Sequence, residues 1–248
     1  MRHALIDLNG LHPELTPHVM QAPLGRGIYH PLVFVRGIDH PFFLQPIEGC
    51  TNWIEYANYC LAQKQAMIGQ AVAERDWHTY IFAHERPHRF DAIRTIIAEG
   101  HASIDDLWTV IGDAWSDSEN IWKFSNDWLM LWQTKSRKRH LVMDKEDLAV
   151  WRSLPDRLTI YRGVGSENDW DAEEECIWGL SWSLDRQQAV WFAHRSASGR
   201  KCPFIATASI RKRHCFAYFD GRKESEIVVN PAKLPLRFDL KKLRRKNK

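Results

Sequence analysis

PDRLTIYRG, residues 155–163, is the stretch where the chain changes its period. Before it, apolar side chains recur at three- and four-residue spacing. From Leu158 onward they alternate, or run together with β-branched neighbours, as strands do. Leu158–Tyr161, Phe204–Ile210 and Glu226–Val229 read as strands, with one helix, Asp185–His194, among them. A chain that is helical first and stranded later belongs to the α+β class rather than to an alternation of βαβ units.

Upstream of that point, a long amphipathic stretch runs from Thr51 to about Phe82, with Trp53, Ala57, Leu61, Ile68 and Val72 on its apolar side. Further helices are expected over Phe90–Glu99, stopped by Gly100, and from a Ser103/Asp106 capping signal through Trp115. Two more follow: Glu119–Trp132, capped by Asp117 or Ser118, and Asp144 to about Ser153. Residues 1–50 are irregular, with one strand-like run at Ile28–Val35. Tryptophan is abundant, twelve in all. Trp108, Trp115, Trp122, Trp128 and Trp132 fall at helical spacing and read as core, because an indole buries a large area and needs one partner for its N–H. Trp170, Trp178, Trp182 and Trp191 lie in the C-terminal third.

The 248 residues, 44% hydrophobic and 26% charged, suffice for a core without disulfide or metal staples. Five cysteines with no CxxC pair speak against a disulfide framework or a zinc ribbon. No apolar run approaches the ~18 residues of a membrane span. The N-terminus, MRHALIDLNGLHPE, lacks the apolar core of a secretory signal. A cytoplasmic location is therefore expected, in a host's cytoplasm if the chain is phage- or toxin-encoded. The net charge of +3 is concentrated in KKLRRKNK, residues 241–248, whose six basic residues leave residues 1–240 at −3. Only that tail is a candidate contact for a polyanion such as nucleic acid.

His84-Glu85-Arg86-Pro87-His88 matches the HExxH pattern of zinc proteases. That chemistry needs both histidines on one face of a continuous helix, and Pro87 breaks the helix. No metal is expected. The chain has no GxSxG elbow, no Walker A loop and no GxGxxG after a strand.

Three short pieces in the C-terminal third carry chemistry. Tyr161-Arg162-Gly163 ends a predicted strand, and an arginine there suits a phosphate through its planar fork of donors. Gly179-Leu180-Ser181-Trp182-Ser183 precedes the helix DRQQAVWFA, and a strand-end serine can fix a carboxylate's rotamer. Glu224-Ser225-Glu226 enters the apolar run Ile227–Val229 with two carboxylates at strand spacing, an arrangement that calls for a cation, a proton or a sugar hydroxyl between them.

Arg, then Ser-x-Ser, then Glu-x-Glu, each with a strand, resembles the R-S-E class of mono-ADP-ribosyltransferases, the cholera-toxin-like and arginine-specific enzymes that use NAD. The resemblance covers about Leu158 to Leu240, with Trp182 where the family usually has threonine. It implies an N-terminal helical region followed by a C-terminal, mostly-β ADP-ribosyltransferase fold. On that division residues 1–85 form an accessory region. Residues 86–240 form the transferase domain, with a helical lobe about 86–153 and a β core about 155–240, and 241–248 form a basic tail.

The resemblance also implies roles. Arg162 would hold the NAD phosphates, with Tyr161, Gly163 and Ser183 beside it. Ser181 would brace Glu226, and Glu226 would hydrogen-bond the 2′-hydroxyl of the nicotinamide-bearing ribose. Glu224 would face the acceptor, where a glutamate accompanies arginine modification in this family. Phe216–Phe219 with Asp220 and Gly221 corresponds to the family's substrate-recognising turn, from which Tyr218 and Phe219 could stack on a target. Arg195 or Arg200, in the segment His194–Lys201, would give a second phosphate contact. Glu167–Glu175 reads as an exposed acidic loop. The expected reaction transfers ADP-ribose from NAD to a protein acceptor and releases nicotinamide. The alternatives are a nucleic-acid acceptor reached through the basic tail and a catalytically degenerate interaction module.

Overall fold

The computed structural model describes residues 8–21, 33–35, 40–42, 52–118, 121–199, 201–235 and 239–244. The chain divides into two units, Met1–Asn120 and Ile121–Lys248. The boundary expected near residue 85 falls within the first of them. Among the described residues, no helix is long and apolar enough to cross a membrane.

In the first unit β1 (Val19–Gln21) pairs antiparallel with β2 (Val33–Val35). Of the strand-like run Ile28–Val35, only these last three residues lie among those described. The stretch expected to be one helix from Thr51 to Phe82 is two, α1 (Trp53–Glu74) and α2 (Trp77–Ala83). Arg75 turns left-handed at φ +56°, and Asp76 caps α2 by accepting the Thr79 N–H at 3.0 Å. A 3-10 turn, Arg86–His88, then leads into α3 (Arg89–Ala98), so His84 and His88 do not share a helix. Gly100, at φ +72°, ends that segment as expected. The helix α4 (Ile104–Asp117) opens on the Ser103/Asp106 signal, with the Ser103 N–H donating to the Asp106 carboxylate at 3.1 Å. It buries Leu107, Trp108, Ile111, Ala114 and Trp115 completely, a stripe at helical spacing.

The second unit begins with a 3-10 turn, Ile121–Phe124, and α5 (Ser125–Gln133). The helix expected from Glu119 therefore starts later, and Glu119 itself lies outside the described residues. Asp144 caps α6 (Lys145–Ser153) by accepting the Asp147 N–H at 2.7 Å. Then follow β3 (Arg157–Ser166), α7 (Asp169–Ile177), β4 (Ser181–Ser183), α8 (Arg186–Ser196), β5 (Cys202–Arg211), β6 (Cys215–Phe219), β7 (Glu226–Val229) and β8 (Asp239–Lys242). The six strands β3–β8 form one antiparallel sheet in the order β6-β7-β4-β3-β5-β8. The architecture is thus mixed, with helices preceding a C-terminal antiparallel sheet.

Two sequence expectations are corrected here. The acidic stretch Glu167–Glu175 is mostly helix α7, capped by Asn168, whose side chain accepts the Asp171 N–H at 2.9 Å. Its apolar face is narrow: Ala172 and Cys176, four residues apart, are fully buried while the acids point outward. The aromatic segment Phe216–Phe219 is not a turn but part of β6.

One close approach fixes the sheet's helical cover. Gly163 and Gly165 lie on the same face of β3, against α8. A Cβ on Gly163 would strike the Ala189 carbonyl and sit 2.6 Å from the Ala193 nitrogen. A Cβ on Gly165 would sit 2.6 Å from the Ala197 nitrogen. Glycine on the strand and alanine on the helix let the two backbones touch, which sets how far α8 stands from the strand edge beside it.

Candidate active site where β3 and β4 diverge

The strand β4 shares a single register pair with β3, Tyr161 opposite Ser183. It pairs with β7 through Ser181–Val228, Trp182–Ile227 and Ser183–Glu226, and β6 places Phe219 opposite Glu226. Tyr161, Ser183 and Glu226, far apart in sequence, therefore form one row across three neighbouring strands.

Beyond Tyr161, β3 continues alongside β5 but no longer pairs with β4. The Arg162 side chain occupies the resulting split. Its Nη1 donates to the Ser181 carbonyl, and its guanidinium lies against Gly179, where an added Cβ would meet Cζ at 2.5 Å. A cavity of about 200 Å³ opens here, lined by Tyr161, Arg162, Gly163, Ser181, Ser183, Glu224 and Glu226, with Trp182, Ala189 and Phe192 as its apolar part.

Arg162 is the site's fixed cation. Burial pushes its guanidinium below the ordinary value, opposed by the neighbouring Cys176, Glu175 and Glu226. Arginine remains protonated near neutral pH regardless, so the charge persists in a desolvated place. Its Nε is buried and makes no hydrogen bond among the described residues. The neighbouring Cys176 thiol is pushed up to about 11 by burial, which leaves it protonated and unreactive at neutral pH.

The two glutamates differ sharply. Glu226 belongs to a strand paired on both sides and is only 5% exposed. Glu224 lies in the loop before it and pairs with Arg222, whose Nη2 stands 2.8 Å from Glu224 Oε2 and 4.0 Å from Glu226 Oε2. Asp220 shapes this loop by accepting the Ser225 N–H at 2.8 Å on its carboxylate, while its backbone carbonyl accepts the Lys223 N–H at 2.7 Å. Lys223 and Ser225 take left-handed φ values of +56° and +45°. Asp220 is held in turn by α6, its N–H donating to Asp147 Oδ1 at 3.0 Å. Burial, with Asp144 and Asp220 nearby, pushes the Asp147 carboxyl up to about 6.

The two serines sit two residues apart on one face of β4. Ser183, expected beside the cofactor, donates its hydroxyl to the Glu224 carbonyl at 2.7 Å and accepts the Asp185 N–H at 2.9 Å. It thereby joins the Glu224 loop to the start of α8. Ser181, expected to brace Glu226, stands opposite Val228, on the same face of the sheet as the Ser183–Glu226 pair; it lines the cavity, and its carbonyl holds Arg162.

Seven of the residues singled out from sequence thus line one cavity. Three others are not among its lining residues. Arg195, on the last turn of α8, stacks 5.0 Å over the Trp191 ring. Tyr218 and Phe219 are buried in β6, Phe219 beside Trp132 at 6.4 Å, so neither offers an open ring face. Arg200 lies outside the described residues. Sequence reasoning overlooked Arg222 and Asp147, and took Gly179 only as the start of the Ser-x-Ser piece. Arg222 was signalled by its place, two residues before Glu224. Asp147 carried no signal beyond an acid in a helix's first turn.

Among the described residues, no group of three or more His, Cys, Asp or Glu side chains is placed to hold a metal ion. No family model, no curated protein and no solved structure matches the chain.

Proposed function

We propose that this chain is an NAD-dependent mono-ADP-ribosyltransferase that modifies arginine on a protein acceptor. The observation that carries the reading is the convergence of Arg162, the Ser-x-Ser strand and the Glu-x-Glu segment on one cavity at a sheet split.

The residues suit NAD in charge and size. Arg162 supplies a desolvated cation for a phosphate, and its Nε marks donor capacity that the described residues do not use. A volume of about 200 Å³ is below the roughly 300–1,000 Å³ of pockets that enclose a whole drug-sized ligand, so it takes one end of a dinucleotide and leaves the rest outside. When bound, NAD supplies an ADP-ribosyl group attached to a neutral leaving group, nicotinamide. Glu226 accepts a hydrogen bond from the 2′-hydroxyl of the ribose and stabilises the positive charge that develops on that sugar as the glycosidic bond breaks. Its burial and two-sided strand pairing hold the carboxylate in place before reaction, which favours the transition state over the ground state. Glu224 orients the incoming guanidinium, and Ser183 fixes the Glu224 backbone.

The test compares nicotinamide release and transfer of a tagged NAD analogue to arginine-bearing protein, for wild type, Glu226→Gln and Glu224→Gln. Glu226→Gln should lose about 10²–10³ in both activities, the usual effect of removing one preorganised electrostatic group. Glu224→Gln should lose transfer while retaining nicotinamide release to water. Equal turnover by wild type and Glu226→Gln rejects the proposal.

A further inference from the structure

The tetrapeptide Arg-Lys-Arg-His occurs twice in the chain, at residues 137–140 and again at 211–214. The stretches around the two copies, 134–143 and 205–219, hold seven Lys or Arg and no Asp or Glu, which leaves the rest of residues 1–240 at −10. The fold brings both copies to one strand. The first lies in the connection between α5 and α6; the second leads directly into β6, the outermost strand on its side of the sheet. Arg139 lies over the Phe216 ring, its Cζ 5.6 Å from the centroid, and Met143 Sδ accepts the Tyr218 N–H at 3.5 Å. Residues 139–143 therefore run beside β6, and Phe216 is two residues beyond His214. The end of β7 adds a further cation. The Asn230 N–H donates to the His214 carbonyl at 3.0 Å, and the 3-10 turn that follows, Pro231–Lys233, carries Lys233 to the same end of the sheet.

Two members of the cluster hold the structure together. Arg139 Nη2 donates to the Thr134 carbonyl at 2.9 Å, and Lys212 Nζ donates to the Leu154 carbonyl, just after α6, at 3.0 Å. The others are turned outward. Arg137, Lys138, Arg211, Arg213 and Lys233 are exposed, and among the described residues no carboxylate pairs with any of them. The His214 imidazole lies below its ordinary value, through partial burial first and then through the cations of Arg213, Lys233 and Arg211, which thus act together on one point. Like charges gathered without partners repel one another, so the arrangement does not serve stability.

A line of anions is the partner that such a surface fits. Arginine's planar fork suits phosphate oxygens, and a phosphate backbone repeats them. A protein interface needs an apolar core, and a membrane contact needs an apolar face beside the cations. Of the described residues in and directly beside the two tetrapeptides, Leu141 alone, 41% exposed, is large, apolar and exposed. We propose that the two Arg-Lys-Arg-His pieces, with Lys233, form a surface that binds the phosphate backbone of nucleic acid. This surface is distinct from the basic tail, which begins in β8 at the opposite edge of the sheet. It lies near the candidate active site. Cys215 stands opposite Val229 and Phe219 opposite Glu226, so the start of β6 is three residues along β7 from Glu226, about 10 Å at the rise of a strand. The inference stands apart from the transferase reading, because it needs no NAD.

The experiment uses the full chain without NAD and short fluorescein-labelled oligonucleotides, single-stranded RNA and duplex DNA, with anisotropy read between about 50 and 200 mM salt. The variant carries Arg137→Gln, Lys138→Gln, Arg211→Gln and Arg213→Gln together, all at exposed positions, and its melting temperature is compared with that of wild type. Wild type should bind with an affinity that falls steeply with salt. Each phosphate contact removed lowers the slope of log K against log salt by about 0.7–0.9, so the variant's slope should be shallower by about 3. If the four changes together lower the melting temperature, the pair Lys138→Gln and Arg213→Gln is read instead, with about half the change in slope. Binding to either oligonucleotide with that loss of slope supports the inference, and the tighter of the two names the preferred backbone. An equal slope in wild type and variant overturns it and assigns the binding to the tail, which removal of residues 245–248 then checks. Binding to phosphatidylserine vesicles without binding to oligonucleotide overturns it in favour of a membrane surface, and a wild-type chain that binds neither overturns it outright.

Discussion

Glu226 and Glu224 are two residues apart, yet they are held by opposite means. Glu226 sits on a strand paired with β4 and β6, within the sheet whose β3 is locked to α8 by backbone contact at Gly163 and Gly165. Glu224 sits on a loop held by a few polar contacts: the Ser183 hydroxyl, the Asp220 carboxylate, and Asp147 behind it. A carboxylate that must meet developing charge benefits from a platform that cannot adjust. One that must receive different acceptors benefits from a mount that opens locally at low cost. The difference teaches that being on the strand or on the loop before it, rather than residue type, separates the roles proposed for the two carboxylates.

If the platform is as rigid as this comparison says, Gly163→Val should show the largest effect. Its side chain would run into the Ala189 and Ala193 backbone, which cannot give way as a side-chain end can. A loss of about 3 kcal/mol is expected, the upper part of the usual overpacking range, read as a fall in the denaturant midpoint at unchanged slope. A variant as stable as wild type would show that α8 is not seated on β3 in this way.

Gly179→Ala sharpens the same comparison by moving only the cation. The added methyl must displace the Arg162 guanidinium, and the orphaned Nε with it. The expected outcome is NAD affinity weakened about tenfold, about 1.4 kcal/mol, with a nearly unchanged melting temperature. Unchanged NAD affinity in calorimetry would mean that Arg162 does not hold the dinucleotide.

The smallest expected effect probes the loop's mount. The Asp147 carboxyl is pushed up to about 6 by burial, with Asp144 and Asp220 adding to it, from an ordinary value of 3.8. The folded state therefore holds this proton more tightly than the unfolded chain does. The stability that results is fully present below pH 4 and is lost as pH rises from about 4 through about 6. Asp147→Asn keeps an oxygen for the Asp220 N–H and removes the charge. It should flatten that slope and raise stability above pH 6 by about 1 kcal/mol, the scale of one hydrogen-bond adjustment. Melting curves of both proteins between pH 4 and 8 check this, and an identical slope would show that Asp147 does not titrate against the fold.

Much of the rigid region was legible in the sequence because strand pairing and close packing leave composition marks. The strand at Glu226–Val229 is found at the residues expected, since its apolar run begins directly after a polar turn. The helix expected over Asp185–His194 is likewise found, as α8 with Asp185 at its N-cap. The loop left little trace. Its turns use Lys223 and Ser225 in conformations that usually announce themselves with glycine, and its anchor Asp147 lies more than seventy residues upstream. The acidic helix α7 reads as a loop in the sequence because two small residues, Ala172 and Cys176, are what it buries among the described residues. The break between α1 and α2 passed unseen because Arg75, not glycine, takes the left-handed turn. Register was also beyond the sequence: a two-residue slip between β4 and β7 would place Ser181 rather than Ser183 opposite Glu226 while keeping both on the same face, and the Ser-x-Ser spacing fits both.

The most direct measurement takes wild type and Glu226→Gln, confirms equal melting temperatures, and records NAD binding by calorimetry beside nicotinamide release. The account predicts binding within a fewfold of wild type and turnover lower by about 10²–10³, because Glu226 acts on the charge that develops as the glycosidic bond breaks. Turnover that survives the substitution, or a wild-type chain that does not bind NAD, would contradict it.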